Sequence, residues 1–357
     1  MPHADRGRIV TVRGAIAPDA LGSTLMHEHL KIDFLAVPAE EQPSHALAFQ
    51  PESFGQRWHE PLSPHNAYEA RRNSYSLKAT LQMVDEDQAV AAMDEYRAAG
   101  GQALVELTPI GVGRDPALLR RVSERTGVHV VMGTGYYVND LHPPGLAEKS
   151  EAAIADAILA DIHEGTGADR IRPGIIGEIG LVWPVHPVEE RVLRAAVRCQ
   201  RETGMLLTIH PGRDTAAPMD AIRIVEKAGG DPTRTIICHL DRTIFTDAAF
   251  LELANTGCYL EQDLFGLESS YYPLSDIDMP NDAMRLNRIL MLMERGYLAQ
   301  VIISEDIDNI SRHTAFGGEG YHHILTRVVP VMRRKGMSEA EINQILIGNP
   351  RQALTIL

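Results

Sequence analysis

Short apolar runs bounded by turn residues recur along the chain, and amphipathic stretches separate most of them. Two of these stretches, 87–99 and 189–202, are followed within two residues by a glycine, which favours the end of a helix. The alternation predicts a parallel sheet with right-handed crossovers, and eight strand–helix units are the number that closes a (β/α)8 TIM barrel. The eight predicted strands are residues 23–29, 102–108, 128–134, 174–178, 205–210, 235–239, 258–263 and 300–306.

Two segments lie outside this repeat: a short N-terminal extension, and a proline-rich insertion of approximately residues 31–79 after the first predicted strand. A loop in that position lies on the active-site face of a barrel, where lids and subunit contacts are common. The insertion is therefore predicted to be a lid, with Trp58 over the pocket, or equally an arm that packs in a homodimer. We expect residues 1–357 to form a single domain.

The composition is that of an average globular protein, with 44% hydrophobic and 23% charged residues. The formal net charge of -14 argues against nucleic-acid and anionic-membrane partners, which require a basic surface. The three cysteines form no Cys-x-x-Cys pair, so neither a disulfide framework nor a thiolate zinc site is indicated. No apolar run suggests a signal segment or a membrane span, and the cytoplasm is the expected compartment.

Ionisable residues stand at the C-terminal ends of five predicted strands. Because the active site of a barrel is built at that end, these side chains are expected to converge. Singly, each has an ordinary structural explanation, such as a hydrogen-bonded core histidine or a capping aspartate. Together they would form a buried cluster without charge compensation, which is costly unless a cation is present. The predicted metal ligands are His27, His29, Glu178, His210, His239 and Asp306.

The first of these pairs lies in the stretch Thr24 to Leu30, T-L-M-H-E-H-L. Side chains alternate along a strand, so His27 and His29 are predicted to point to one side and Glu28 to the other. Two imidazoles one strand period apart can bind the same ion. Nitrogen and oxygen ligands fit Zn²⁺ best, and Mn²⁺, Co²⁺ and Fe²⁺ are alternatives.

The motifs G-S-T-L-M-H-E-H-L, G-I-I-G-E-I-G, T-I-H-P-G, C-H-L-D-R-T, I-S-E-D-I and G-G-E-G-Y-H-H-I together resemble the phosphotriesterase-related family of the amidohydrolase superfamily. The resemblance runs from about Arg8 to the C-terminus. It implies one metal held by His27, His29 and Asp306 and a second held by His210 and His239. The bridging position, a carboxylated lysine in the best-known members, is here Glu178, as in a glutamate-bridged branch of the family.

A water between two such ions is acidified from a pKa of about 16 toward about 7, which supplies hydroxide at neutral pH. Asp306 is expected to take the proton as the catalytic base. The resemblance thus implies a binuclear metal-dependent hydrolase, with lactones or other carboxylic esters as the first substrate class. The alternatives are phosphoester or phosphotriester hydrolysis, and a metal-containing small-molecule-binding protein with little turnover.

Two further residues are candidates for substrate contact. In lactone hydrolases that the chain resembles, the second tyrosine of a stretch like T-G-Y-Y contacts the substrate, which suggests Tyr137; aromatic packing in the pocket wall is the alternative. Asp241 and Arg242 follow His239 directly, so they could orient that histidine and offer a cation to an anionic substrate. An ion pair within the loop is the alternative for these two residues.

Overall fold

The structure is a computed structural model that describes residues 5–35, 58–269, 272 and 274–357. Its strands are Ile9–Thr11 (β1), Gly14–Ile16 (β2), Thr24–Glu28 (β3), Ile32–Asp33 (β4), Gln82–Met83 (β5), Ala103–Glu106 (β6), His129–Thr134 (β7), Ile175–Gly180 (β8), Leu207–His210 (β9), Thr235–Ile237 (β10), Tyr259–Gln262 (β11) and Val301–Ile303 (β12).

The α-helices are Ala67–Arg72, Glu86–Ala98, Pro116–Thr126, Glu151–Glu164, Pro187–Thr203, Ala217–Lys227, Asp247–Ala254, Asp282–Glu294, Val329–Arg334, Glu339–Asn343 and Asn349–Leu354. Short 3-10 helices are Pro18–Ala20, Ser74–Ser76, Lys78–Leu81, Asn139–Leu141, Pro232–Arg234, Leu240–Arg242, Leu298–Gln300, Ile310–Arg312 and Thr314–Phe316. Two π-helical turns are Ile324–Val328 and Gln344–Gly348.

Eight strands form one parallel sheet in chain order, from β3 and β6 through to β12. This confirms the predicted (β/α)8 barrel. The observed strands are shorter than the predicted runs at several ends, because the last residues of a run turn out of the sheet. The two helices predicted at 87–99 and 189–202 are present as Glu86–Ala98 and Pro187–Thr203, and the second ends at Gly204 in a left-handed conformation.

The apolar side chains divide into two layers by strand alternation. Val131 on β7 points into the barrel, together with Met26 and Ile302, whereas its neighbours Val130 and Met132 face the surrounding helices. All of them are buried. The three cysteines are buried and free. None of the helices in the described ranges is long and apolar enough to cross a membrane.

The N-terminal extension covers the closed end of the barrel. Strands β1 and β2 form an antiparallel hairpin, and the Val12 N–H donates to the Val130 carbonyl at 2.9 Å, near the start of β7. Gly174, just before β8, allows this close approach, because a Cβ there would lie 2.1 Å from the Val10 carbonyl oxygen. The opposite end of the barrel, where the strands finish, is left for the site.

The insertion after the first barrel strand is bracketed by a second small sheet. Strands β4 and β5 pair antiparallel, with Ile32 opposite Met83. Residues 36–57 lie outside the described residues, and with them most of the segment that was predicted to carry Trp58 over the pocket. Trp58 itself is half-buried, its carbonyl accepts from the Lys78 N–H at 2.9 Å, and it does not line the cavity described below.

Glu28 joins the last barrel strand to the first. One carboxylate oxygen accepts from the Ser304 hydroxyl at 2.7 Å and the Glu305 N–H at 2.8 Å, and the other accepts from the Ile307 N–H at 2.9 Å. Two further hydrogen bonds cross the same seam, from the His27 N–H to Ser304 Oγ and from the Asp306 N–H to the His27 carbonyl. One buried carboxylate therefore accepts three of these five hydrogen bonds across the seam between β12 and β3.

Replacing Glu28 by Gln should destabilise the fold, since an amide NH₂ would face donors where a carboxylate oxygen now accepts. Leaving buried donors unpaired costs about 1–3 kcal/mol. The urea midpoint should fall, whereas Glu124→Gln, on an exposed ion pair with Arg120, should leave it nearly unchanged. Equal midpoints for the two variants would show that the seam does not need Glu28.

Candidate metal centre

The six residues predicted as ligands meet at the C-terminal end of the barrel. Glu178 Oε1 lies 2.9 Å from His210 Nδ1 and 3.0 Å from His239 Nε2. The same oxygen is 3.6 Å from His27 Nε2, so it faces histidines from both halves of the cluster. Glu178 therefore lies between the His27 side and the His210 and His239 side of the cluster.

Asp306 completes the other half of the cluster. Its Oδ1 lies 3.1 Å from His29 Nε2 and 3.6 Å from His27 Nε2, and its Oδ2 lies 3.6 Å from His239 Nδ1. The Asp306 side chain is 13% exposed, whereas those of His27 and Glu178 are almost fully buried. Asp306 is therefore the carboxylate of the cluster that faces the cavity.

Two of the six residues have a backbone conformation that the sequence did not reveal. His239 and Asp306 lie beyond the ends of β10 and β12, not within them, with φ of 53° and 47°. Side chains with a Cβ rarely occupy this left-handed region, which costs on the order of 1–3 kcal/mol, and such residues cluster at functional sites. The turn directs both side chains back over the mouth of the barrel.

Buried acceptors orient two of the imidazoles. Thr108 Oγ1 lies 2.9 Å from His29 Nδ1 and donates to Glu106 Oε1 at 2.6 Å. Asp263 accepts from the His239 backbone N–H at 2.9 Å, and its other oxygen lies 2.9 Å from His239 Nδ1. Partners of this kind fix the tautomer and the ring orientation of a metal-binding histidine.

Sequence reasoning did not identify these partners, although Asp263 ends the seventh predicted strand and the strand-end rule would have found it. It named Asp241 instead. In the structure Asp241 accepts from Arg285 Nε at 2.7 Å and from the Leu264 N–H at 3.0 Å, so it secures a neighbouring loop. Arg242 does not pair with Asp241; its Nη2 lies 3.0 Å from His210 Nε2.

His27 occupies the centre of the cluster, and each of its ring nitrogens faces a pair of carboxylates. Its Nε2 faces Glu178 and Asp306, and its Nδ1 lies 3.4 Å from Glu261 Oε2 and 3.3 Å from Asp263 Oδ2. Burial raises the pKa of Glu261 to about 7. Like Asp263, Glu261 on β11 is a buried acid that sequence reasoning did not single out.

The electrostatics of the cluster divide its members into two groups. Burial raises the pKa of Glu178, but the neighbouring His210 and His27 outweigh this effect and hold it well below the ordinary value. Burial lowers the pKa of His210 well below its ordinary value, although Glu178 opposes this. For His239 burial has the same sign, yet the Asp263 carboxylate raises its pKa to about 9. An ionised Glu178 thus stands beside an unprotonated His210. Burial also lowers the pKa values of His27 and His29, but neighbouring carboxylates outweigh it and raise them like that of His239, so a bound cation would have to displace protons from these rings.

The donor set fits divalent cations. Four overlapping groups in the described part of the chain have ligand atoms within 4.8 Å of one another. Three consist of predicted ligands alone: His27, His29 and Glu178; His27, His239 and Asp306; and Glu178, His210 and His239. The fourth is His27, Cys238, Glu261 and Asp263, on the Nδ1 side of His27. Within the described residues neither ring nitrogen of His27 makes a hydrogen bond, although the ring is fully buried. A cation facing Nε2 would supply the missing partner.

The cluster opens into a cavity of about 740 Å³. Tyr137 stands in its wall, with its hydroxyl 3.2 Å from His210 Nδ1, and Arg242 also lines it. Arg71, Arg72 and Ser74 bring the described part of the insertion into the same wall. Phe34, Leu264, Leu267 and Leu274 supply apolar surface. The arrangement suits a small molecule with an apolar portion and polar groups.

A parallel barrel with a histidine and carboxylate cluster at its C-terminal end defines a class of barrel hydrolases. The sequence profile of the phosphotriesterase family matches residues 7–354, and the chain belongs to that family. The family consists of binuclear metal-dependent enzymes, in agreement with the cluster of side chains that could bind metal. The resemblance read from the motifs is thereby confirmed.

Relatives match the chain along almost its whole length. N-acetyltaurine hydrolase from Tetraodon nigroviridis is 40% identical over 353 residues, and the human enzyme of that name is 40% identical over 351 residues, each with 98% of both chains covered. A crystal structure of a resiniferatoxin-binding protein from Rhodobacter sphaeroides is 34% identical, with a TM-score of 0.90, and the match covers 98% of this chain and 95% of that one.

Proposed function

We propose that the chain is a binuclear metal-dependent hydrolase that cleaves the amide bond of small N-acyl compounds, with N-acetyltaurine as the first compound to test. The convergence of four imidazoles and two carboxylates on one cavity carries the hydrolase proposal. The bond class is supported by relatives that are 40% identical over 98% of both chains and are named for hydrolysis of an N-acetyl amide.

His27, His29 and Asp306 would hold one ion and His210 and His239 the other, with Glu178 between them. Zn²⁺ suits this mixture of imidazole and carboxylate ligands, as do Mn²⁺, Co²⁺ and Fe²⁺. When bound, the ions would supply an acidified water and polarise the carbonyl oxygen of the substrate. The protein's contribution is to fix these ligands and their hydrogen-bonded partners.

Asp306 is the proposed catalytic base, because it is the carboxylate of the cluster that lines the cavity. It would take a proton from the attacking water and deliver it to the departing nitrogen as the carbon–nitrogen bond breaks. The products would be a carboxylic acid and an amine. Tyr137, with its hydroxyl beside His210, is placed to donate a hydrogen bond to the acyl oxygen of the substrate.

Carboxylic esters and lactones, the substrate class expected from the sequence, remain the alternative. The same ions and the same base would serve an ester, whose leaving oxygen needs the proton less than an amide nitrogen does. Phosphoester hydrolysis is the second alternative, and a small-molecule-binding protein with little turnover is the third. The function is therefore tested with one panel of substrates.

The panel contains N-acetyltaurine, a γ-lactone, an aryl acetate and a phosphotriester, each offered to the metal-loaded protein. We expect the highest kcat/KM for the N-acyl compound, measured by release of the free amine. An Asp306→Asn sample is the control for background hydrolysis. Preferential turnover of the lactone or the phosphotriester would replace the amide proposal, and tight binding without turnover of any compound would indicate a binding protein.

Metal content is the second expectation. Protein grown in metal-supplemented medium should contain two divalent ions per chain by elemental analysis, and chelation should abolish activity. Because Glu178 is itself a carboxylate, the metal-free protein should regain activity with metal alone, without bicarbonate. Restoration that depends on bicarbonate would show that a modified lysine supplies the bridge.

Asp306 and Asp308 provide a matched pair of variants, since both line the cavity but only Asp306 contacts the histidine cluster. Asp306→Asn keeps one ligating oxygen and removes the basic carboxylate. Bound metal should largely persist, while kcat falls by about 10²–10⁴-fold, the usual contribution of a general base. Asp308→Asn should change substrate preference more than kcat. An Asp306→Asn enzyme with full metal and normal kcat would exclude Asp306 as the base.

A further inference from the structure

The cavity has a charge opposite to that of the protein. The chain carries a formal net charge of -14, yet five arginines line the cavity and its carboxylates are Asp306 and Asp308 among the described residues. Charged groups that line a low-dielectric cleft concentrate the opposite charge within it. The cavity is therefore suited to an anionic ligand. The lining arginines are Arg71, Arg72, Arg213, Arg242 and Arg312.

Three of these arginines have structural roles. Arg312 is buried and donates to the carbonyls of Glu305, Asp306 and Phe265, so it fixes the backbone around Asp306. Arg242 is buried against His210, and Arg71 donates to the Phe316 carbonyl at 3.0 Å. Each of these three guanidinium groups therefore donates to the protein itself.

Arg213 contacts Tyr272 in the cavity wall. It follows His210 by three residues, in the loop after β9, and is half-buried in the cavity wall. Its Nε donates to the Tyr272 hydroxyl at 3.0 Å, and its guanidinium carbon lies 5.8 Å from the centre of the Tyr272 ring. The loop after β9 packs closely against Trp183, because a Cβ on Gly212 would lie 2.6 Å from the Trp183 backbone nitrogen.

The surroundings of Tyr272 reflect the same positive potential. Burial raises the pKa of its hydroxyl, but the nearby Arg213 and Arg242 outweigh this effect and bring the pKa below its ordinary value. An anion placed beside Arg213 would experience the same field. A guanidinium also presents its donors in a planar fork that matches the oxygens of an acid group.

We propose that Arg213, positioned by Tyr272, binds the acid group of an anionic N-acyl substrate while the acyl end lies at the histidine and carboxylate cluster. This rests on the proposed function and deepens it, since it makes the negative charge of the substrate a requirement for selection. A sulfonate and a carboxylate share the chemistry that Arg213 recognises. Arg213 is a binding residue, and Tyr272 is a positioning residue that acts through it.

The test compares three amides of equal length: N-acetyltaurine, N-acetyl-β-alanine and neutral N-propylacetamide. In the wild type both anionic amides should have a lower KM than the neutral one, and the lower of the two identifies the preferred acid group. In Arg213→Gln the KM for the anionic amides should rise at least about tenfold, the size of a lost charge-assisted hydrogen bond, with kcat nearly unchanged.

The neutral amide separates recognition from damage to the fold. Its kcat/KM should be the same in the wild type and in Arg213→Gln, and Arg213→Lys should restore part of the affinity for the anionic amides. Tyr272→Phe should raise the KM for the anionic amides alone. Arg120→Gln, an equal change of charge on the exposed ion pair with Glu124, should alter neither substrate class. Equal losses for charged and neutral amides in Arg213→Gln would overturn the proposal.

A binding measurement distinguishes failure of this inference from failure of the proposed function. Calorimetry would follow binding of propane-1-sulfonate to the metal-loaded wild type and to Arg213→Gln. If no amide is hydrolysed, the amide proposal fails, yet binding that is at least tenfold weaker in the variant would still support the anion site. If amides are hydrolysed but propane-1-sulfonate binds the two proteins equally, Arg213 does not select the acid group and the inference is wrong.

Discussion

The carboxylate of Glu28 is the interaction on which the site depends. It lies between His27 and His29 in the sequence and accepts three hydrogen bonds from the segment that carries Asp306. Because Asp306 lies between two of the donors, Glu305 and Ile307, its backbone is held on both sides. The stretch His27 to His29 therefore supplies two candidate ligands, His27 and His29, while Glu28 fixes the backbone of a third, Asp306. The hydrogen bonds that close the barrel therefore also hold the backbone of the cluster in place.

The rest of the cluster repeats this principle, since groups on one strand are held by a neighbouring strand. The loop residue Thr108, beside Glu106 on β6, contacts His29, and Asp263, after β11, holds both the ring and the backbone of His239. Each contact requires the native order of strands. Buried acids would be costly without such donors, so the polar interior is tolerable only in the completed barrel. Fold stability and ligand geometry are consequently coupled.

The sequence predicted the barrel and the convergence of six side chains because both depend on local patterns, namely strand alternation and the position of a residue at a strand end. It did not predict the left-handed turns at His239 and Asp306, which only the end of the sheet imposes. It also suggested that Asp241 could orient His239 and did not identify Asp263. Proximity in sequence favoured Asp241, whereas the pairing of β10 with β11 brings Asp263 to the ring.

Charge separation within the molecule bears on how a substrate is selected. A net charge of -14 repels anions at long range, but at physiological ionic strength this field decays over about 8 Å. Inside the cavity the arginines and any bound cations are closer to a ligand than the surface acids are, and the low dielectric strengthens their attraction. An anion is therefore attracted electrostatically only once it is inside the cavity. The proposed selection by charge would therefore be a property of the cavity wall, so a single substitution there would change specificity while the remaining surface and the ligand cluster stay as they are.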